Sequence, residues 1–344
     1  MRLVIERRER RSTRIAVAVP LLSILMALVL TAGLLRLFGV AAGETYVAMF
    51  RGAFGSWRAM QETLLKATPL MLASLGVTVA FRIRFWNIGA EGQLVWGGVG
   101  AAAVGLFAAP YIPAPLLLPT VLLAGMAAGA LWGAIPAALN AYWGVDETLT
   151  TLMLNYVAIL TAEHLYYGPW RDPDGYGFPG TATLPEAAWL PRISGRLHAG
   201  ILIALLLAVL LWVLFRYSRW GFTTRIVGNN RIAARVQGIG LERTIVLVLL
   251  LSGALSGLAG ATEVAGVSHR LQQGLALGYG YTAIIIAWLS SLNPLVVVPG
   301  SVLMAGLLVG GDQVQMVMQL PAAVGEVIQG MILFPLLAGA LFTE

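Results

Sequence analysis

Cysteine is absent from the 344 residues. That excludes disulfides, thiol catalysis and a thiolate metal site. Lysine occurs once, at Lys66, among 22 basic residues. Charge of either sign is scarce, at 11% of the chain, where soluble proteins carry about 25%. The three histidines, His164, His198 and His269, lie far apart, and neither His-Glu-x-x-His nor Gly-x-Ser-x-Gly occurs. Metal-assisted and serine hydrolysis therefore lack their residues. A P-loop needs Gly-Lys-Ser/Thr, but Lys66 stands between Leu65 and Ala67. The chain is expected to move or anchor something rather than transform it, with no catalytic residues, no metal and no cofactor of its own.

Apolar length is what the sequence has in excess. Hydrophobic residues make up 58% of the chain, and the mean hydropathy is +0.82. Long apolar runs of this kind are membrane spans, at about 20 residues each. Ten segments stand out, roughly 15–38, 62–81, 88–109, 115–142, 147–168, 198–216, 244–264, 277–291, 295–311 and 322–341. The expected fold is an all-α integral membrane bundle of about ten transmembrane helices, some short or discontinuous. The eighth and ninth segments are short, and only Ser290-Ser291-Leu292-Asn293-Pro294 separates them. They are expected to form a tight hairpin or broken helices.

The net charge of +6 reads as membrane topology, not nucleic-acid binding. Residues 1–14 form a basic N-terminus with six arginines. The apolar run behind it is longer than the roughly 7–15 residues of a signal peptide's core, so it reads as a retained first span. Six further arginines fall in 216–243, and Arg82 and Arg84 between the second and third spans. With both termini in the cytoplasm these clusters share the inner side, as the positive-inside bias requires. Residues 15–341 then form a single transmembrane domain, with 169–197 as a long external loop and 216–243 as a long cytoplasmic one. The external loop's Trp170, Tyr176 and Phe178 serve either an interfacial aromatic belt or a protein partner.

Glycine repeats every four residues at Gly125, Gly129 and Gly133, at Gly253 and Gly257, and at Gly306 and Gly310. Such spacing lets helix backbones approach closely. Leu123–Ala130 and Leu251–Leu258 also resemble each other, a hint of internal duplication. Polar residues at membrane depth are the candidates for a substrate pathway. Asn87, Glu91 and Gln93 open the third span, where Asn87 caps a helix or the segment is a broken helix end lining a cavity. Asn155 is central in the fifth span and needs a neighbouring helix or a polar substrate as partner. Glu263 is the deepest acid, whereas Glu163, Asp312 and Glu326 fall near span ends.

Between Arg216 and Arg243, Asn229 and Asn230 are placed to cap a short helix over Arg231–Gln237, and Gly238 to end it. Arg231 and Arg235 share a face, and Ala233 and Ala234 form a smooth one. Anionic headgroups account for the arginines, at about 1 kcal/mol each, but not for two caps around an Ala-Ala core. A docking helix for a cytoplasmic motor accounts for both.

Ala233-Ala234-Arg-Val-Gln-Gly238 resembles the Ala-Ala-x-x-x-Gly part of the coupling loop in ABC importer permeases, with Ile232 in place of the usual Glu. Asn87-Ile-Gly-Ala-Glu-Gly-Gln93, Thr150-Thr-Leu-Met-Leu-Asn155, Ser252-Gly-Ala-Leu-Ser-Gly-Leu-Ala-Gly260 and Gly278-Tyr-Gly-Tyr-Thr-Ala-Ile284 are similar to the branched-chain amino acid, simple-sugar and nucleoside branch. They come in the right order over most of residues 60–310, and the first looks most like nucleoside permeases. The resemblance implies a permease subunit of an ATP-driven nucleoside importer in a bacterial inner membrane. Its implied partners are a cytoplasmic ABC ATPase, a second permease chain of similar fold, an external binding protein and the bilayer. ATP would act through the partners only. Coupling would involve Asn229, Arg231, Ala233, Ala234, Arg235 and Gly238. A ribose-like sugar permease, an ion-coupled secondary transporter working through Glu263 and a non-transporting membrane scaffold are the other readings.

Overall fold

The computed structural model describes residues 13–37, 39–275 and 277–319, with Val327, Gly330, Met331, Phe334 and Pro335. Residues 1–12 of the basic N-terminus, most of the tenth apolar segment and Glu326 lie outside the described residues. The described chain is helical almost throughout. Its first helices are α1 (Thr13–Leu37), α2 (Ala42–Phe54) and α3 (Trp57–Phe81). Next come α4 (Ala90–Ala103), extended by looser turns to Tyr111, α5 (Ala114–Trp143) and α6 (Glu147–Tyr167). A two-stranded hairpin, β1 (Arg192–Ser194) and β2 (Leu197–His198), precedes α7 (Gly200–Tyr217), α8 (Arg219–Asn229) and α9 (Arg231–Val236). The last are α10 (Leu241–Glu263), which continues as a wider turn to Ser268, α11 (Tyr279–Leu289) and α12 (Pro294–Met318).

Among the described residues, six helices are long and apolar enough to cross a membrane: 57–81, 90–111, 114–143, 200–217, 241–268 and 294–318. The bent pair Leu25–Leu37 and Ala42–Phe54, at 114°, would make a seventh. The described residues do not confirm ten spans. α6 has the length of a span but is too polar to be one of the six. α11 has 11 residues, about 16 Å at a rise of about 1.5 Å per residue, roughly half of a 30 Å hydrocarbon core. A tight turn with Ser291 and Leu292 at φ 47° and 56° separates it from α12.

Contacts divide the chain into two units, residues 1–63 with 303–344, and residues 64–302. In the first, Gly306 faces the ring of Phe54, and Gly310 lies against the backbone of Met49. The second is built on α4, α5 and α10, joined where side chains are smallest. Gly129 lies on the backbone of Gly253 and Gly257, Gly97 on that of Gly257, and Gly260 on that of Leu94. No Cβ fits at these positions. The two similar Gly-rich stretches of α5 and α10 are thus opposite faces of one contact. Local caps complete the frame. Gly144, at φ 66°, ends α5, and the Asp146 carboxylate accepts from Leu149 N at 2.8 Å to start α6, as helix termini require.

The long loop after α6 is pinned back along the end of α10. Thr181 N donates to Leu271 O at 2.9 Å, Leu184 N to His269 O at 2.8 Å and Leu190 N to Ala265 O at 2.9 Å. His198 is buried at the foot of α7, accepts from Gly200 N at 3.1 Å and packs its ring on Gly266. Burial, and secondarily His269, push it down to about 4, so it is neutral at neutral pH.

Candidate functional site

Four of the polar residues singled out in the sequence meet in one buried knot. Asn87 and Gln93 form a reciprocal amide pair: Asn87 Nδ2 donates to Gln93 Oε1 at 3.1 Å, and Gln93 Nε2 to Asn87 Oδ1 at 3.1 Å. Asn87 Nδ2 also donates to Ser252 Oγ on α10 at 3.0 Å, and its Oδ1 accepts from Gly89 N at 3.1 Å. All four hydrogen-bonding positions of Asn87 are therefore used. It does not cap α4, whose N-cap is Gly89 without a side-chain bond. Instead it ties the 85–89 turn to α10, and Ser252 Oγ donates onward to Gly76 O at 2.7 Å.

Asn155 is the bolt between α6 and the start of α4. Its Nδ2 donates to Ile88 O at 2.9 Å and to the Tyr281 hydroxyl at 3.2 Å, and its Oδ1 accepts from Gly92 N at 2.8 Å. Glu91 reaches α11, where its two carboxylate oxygens accept from Gly278 N at 2.8 Å and Gly280 N at 2.6 Å. Gly278, at φ 79°, makes the turn, and Gly280 sits so close to the Glu91 backbone that a side chain would collide. A carboxylate on the first amides of a helix is favoured by charge-assisted bonds and by the helix dipole. Glu263 stands apart from the knot. It is 11 residues beyond Ser252 on α10, about 16 Å along the axis, within electrostatic reach of Lys66 on α3.

The knot makes a prediction for Glu91. Glu91→Gln keeps the size but turns an acceptor oxygen into an amide donor facing an N–H. Losing one of two charge-assisted bonds this way is expected to cost about 2–3 kcal/mol, visible as a lower unfolding temperature in detergent. An unchanged unfolding temperature with an altered KM for transport would instead make Glu91 a solute ligand.

The second arrangement lies at the N-terminal end of α10. Asn230 Oδ1 accepts from Ile232 N at 2.9 Å and Ala233 N at 3.1 Å, and so starts α9. Gly238, at φ 76°, stops it, with Ile239 N donating to Ala234 O at 3.1 Å. Both caps match the sequence reading, with one correction: Asn229 is the last residue of α8 and makes no cap. The preceding stretch is also helical as α8, rather than loop. α8 presses Gly228 onto the backbone of Arg82, whose guanidinium stacks on Phe215 at 4.0 Å. The ends of α3, α7 and α10 therefore share this basic region with α9.

The exposed face of α9 differs from the expected one. Ala234 is fully buried and seats the helix on the protein, while Ala233 is exposed. Arg231 folds back to Arg84 O at 3.4 Å, and Arg235 pairs with Glu242 at 3.3 Å. Ile232 and Val236 project outward instead, 78% and 83% exposed. They lie one turn apart on one face, a two-residue apolar ridge on a capped, positioned helix. The sequence signal was present in their spacing of four, but the adjacent Ala-Ala pair masked it.

A family model described as branched-chain amino acid transport system / permease component matches residues 59–337. The chain belongs to this permease family. The permease is 35% identical over 340 residues to a glucose ABC transporter permease protein of Haloferax volcanii, covering 95% of this chain and 89% of the relative. It is 34% identical over 319 residues to a guanosine ABC transporter permease protein of Bacillus subtilis, covering 92% and 91%. A nucleoside ABC transporter permease protein of Lactococcus lactis is 30% identical over 289 residues, covering 81% and 79%. The permease is thus a multi-pass membrane transport subunit, which agrees with its lack of hydrolytic motifs.

Proposed function

We propose that this permease is the transmembrane subunit of a nucleoside importer, driven by a separate ATPase that docks on α9. The observation that carries the coupling is the Ile232–Val236 ridge, apolar and exposed on a helix capped at both ends. Headgroup binding accounts for the arginines, since Arg235 stays 72% exposed in its pair with Glu242, but not for the apolar ridge beside them. Family membership supplies the transport context, and the guanosine and nucleoside relatives support the substrate class. The glucose relative favours a sugar as the second reading.

In this reading α9 and the Arg82–Arg84 turn face the cytoplasm, with both termini inside, in the inner membrane of a bacterium. The 169–197 loop faces outward, and its tip, with Tyr176 98% exposed and Phe178 exposed, meets an external binding protein. A second permease chain of similar fold completes the pathway, and α6 and α11 are further membrane segments toward the expected ten. Asn87, Glu91, Gln93 and Asn155 fix the pathway wall by holding α4, α6, α10 and α11 together. Glu263 and Lys66 lie further along that wall. ATP closes the ATPase, α9 moves with it, and α10, which starts after the short 237–240 turn, carries the motion inward.

Competition of labelled guanosine uptake by the reconstituted complex separates the substrates. Unlabelled nucleosides are expected to compete, and glucose and ribose are not. Competition by glucose alone would establish the sugar reading.

A further inference from the structure

A cavity of about 280 Å³ opens between α4, α6 and the 271–275 loop, at the opposite end of the α10 rod from α9. Its lining includes the apolar Val95 and Ile159 and the polar Glu163, Tyr166, Gln272 and Gln273. Glu163 and Tyr166 are three residues apart on α6, hence on one face. Among the described residues neither side chain makes a hydrogen bond or ion pair. The two glutamines are oriented by donors on their oxygens: Arg270 Nε to Gln272 Oε1 at 2.7 Å and the Tyr167 hydroxyl to Gln273 Oε1 at 3.4 Å. Their amide NH2 groups remain free to donate. The wall is braced, because Thr181 of the long loop holds Leu271 through both N–H···O contacts, at 2.9 and 3.1 Å.

We propose that this cavity receives the solute at the outer mouth, and that it recognises a pair of neighbouring hydroxyls. A carboxylate accepts from ribose hydroxyls, as in dinucleotide sites, and the free amides donate back to the same oxygens. The apolar part of the lining takes the face of a ring. The volume lies just under the range of about 300–1,000 Å³ typical of ligand pockets, which limits the guest to one small solute. A ribonucleoside and a hexose share this chemistry. The proposal rests on the permease reading, since a hand-over site needs a transported solute.

The test uses the reconstituted permease–ATPase complex supplied with saturated binding protein, loaded with guanosine, 2′-deoxyguanosine or glucose. Glu163→Gln and Tyr166→Phe are expected to slow uptake about ten-fold, with co-purification of the ATPase preserved and Glu163→Asp partly restoring the rate. If the guest is a nucleoside, the wild type moves guanosine faster than the deoxy compound, and Glu163→Gln removes the difference. If it is a hexose, the glucose arm alone responds. Wild-type rates in both variants overturn the cavity and leave the permease reading intact. So does a Glu163→Gln complex that falls apart while Tyr166→Phe transports normally. A wild-type complex that moves none of the three solutes overturns both.

Discussion

Ile232→Asp combined with Val236→Asp is expected to detach the ATPase: co-purification falls to background, and ATP-driven uptake drops about a thousand-fold. The magnitude follows from two apolar anchors worth about 2 kcal/mol each in a desolvated groove, and about 1.4 kcal/mol per factor of ten. Both side chains are exposed in the isolated chain, so the substitutions leave its own packing intact. Reversing Arg231 and Arg235 is expected to do far less. Arg235 is engaged with an exposed carboxylate, and such pairs contribute about 0–1 kcal/mol. If the arginine reversals detach the ATPase and the aspartates do not, α9 docks through charge and the ridge is incidental.

Gly260→Leu is expected to prevent folding altogether. A side chain there would overlap Leu94 O and crowd Gly98 N, and both are backbone. Flexible neighbours can yield, but two helix backbones can separate only by opening the α4–α10 contact. Overpacking costs about 1–3 kcal/mol where side chains absorb it. Here the cost is expected to exceed about 4 kcal/mol, the range reserved for broken cores. The readout is loss of the monodisperse detergent-solubilised protein. Gly43→Ala is the control, because nothing lies within 4 Å of a Cβ there. Normal yield and unfolding temperature in Gly260→Leu would mean that α4 and α10 do not pack as described.

Apolar runs and glycine spacing made the helical membrane fold and the existence of close helix contacts legible in the sequence. Which helix met which was not legible, because Gly125, Gly129, Gly253 and Gly257 are interchangeable as signals until paired in space. The span count is least direct where length and hydropathy disagree. α11 is apolar but short, and α6 is long but more polar. The caps of α9 were readable because Asn and Gly act on their own neighbours. Its exposed face was not, since burial of Ala234 is decided by where α9 sits on the rest of the protein. Asn87, Glu91, Gln93 and Asn155 stand out in the sequence as polar residues in apolar runs, and the structure joins them in one buried network. Their partners, 63 to 189 residues away for Asn155 and Glu91, carry no local signature. Glu163 looked like a solvated helix end, and only the 271–275 loop turns it into the wall of a cavity.

The most direct measurement is uptake of labelled guanosine by vesicles containing the permease, its partner permease and the ATPase, with loaded binding protein on the outer side. The account predicts accumulation that requires ATP on the ATPase side and disappears when the ATPase cannot hydrolyse it. Undiminished uptake with the inactive ATPase, or with the permease alone under an ion gradient, would contradict it.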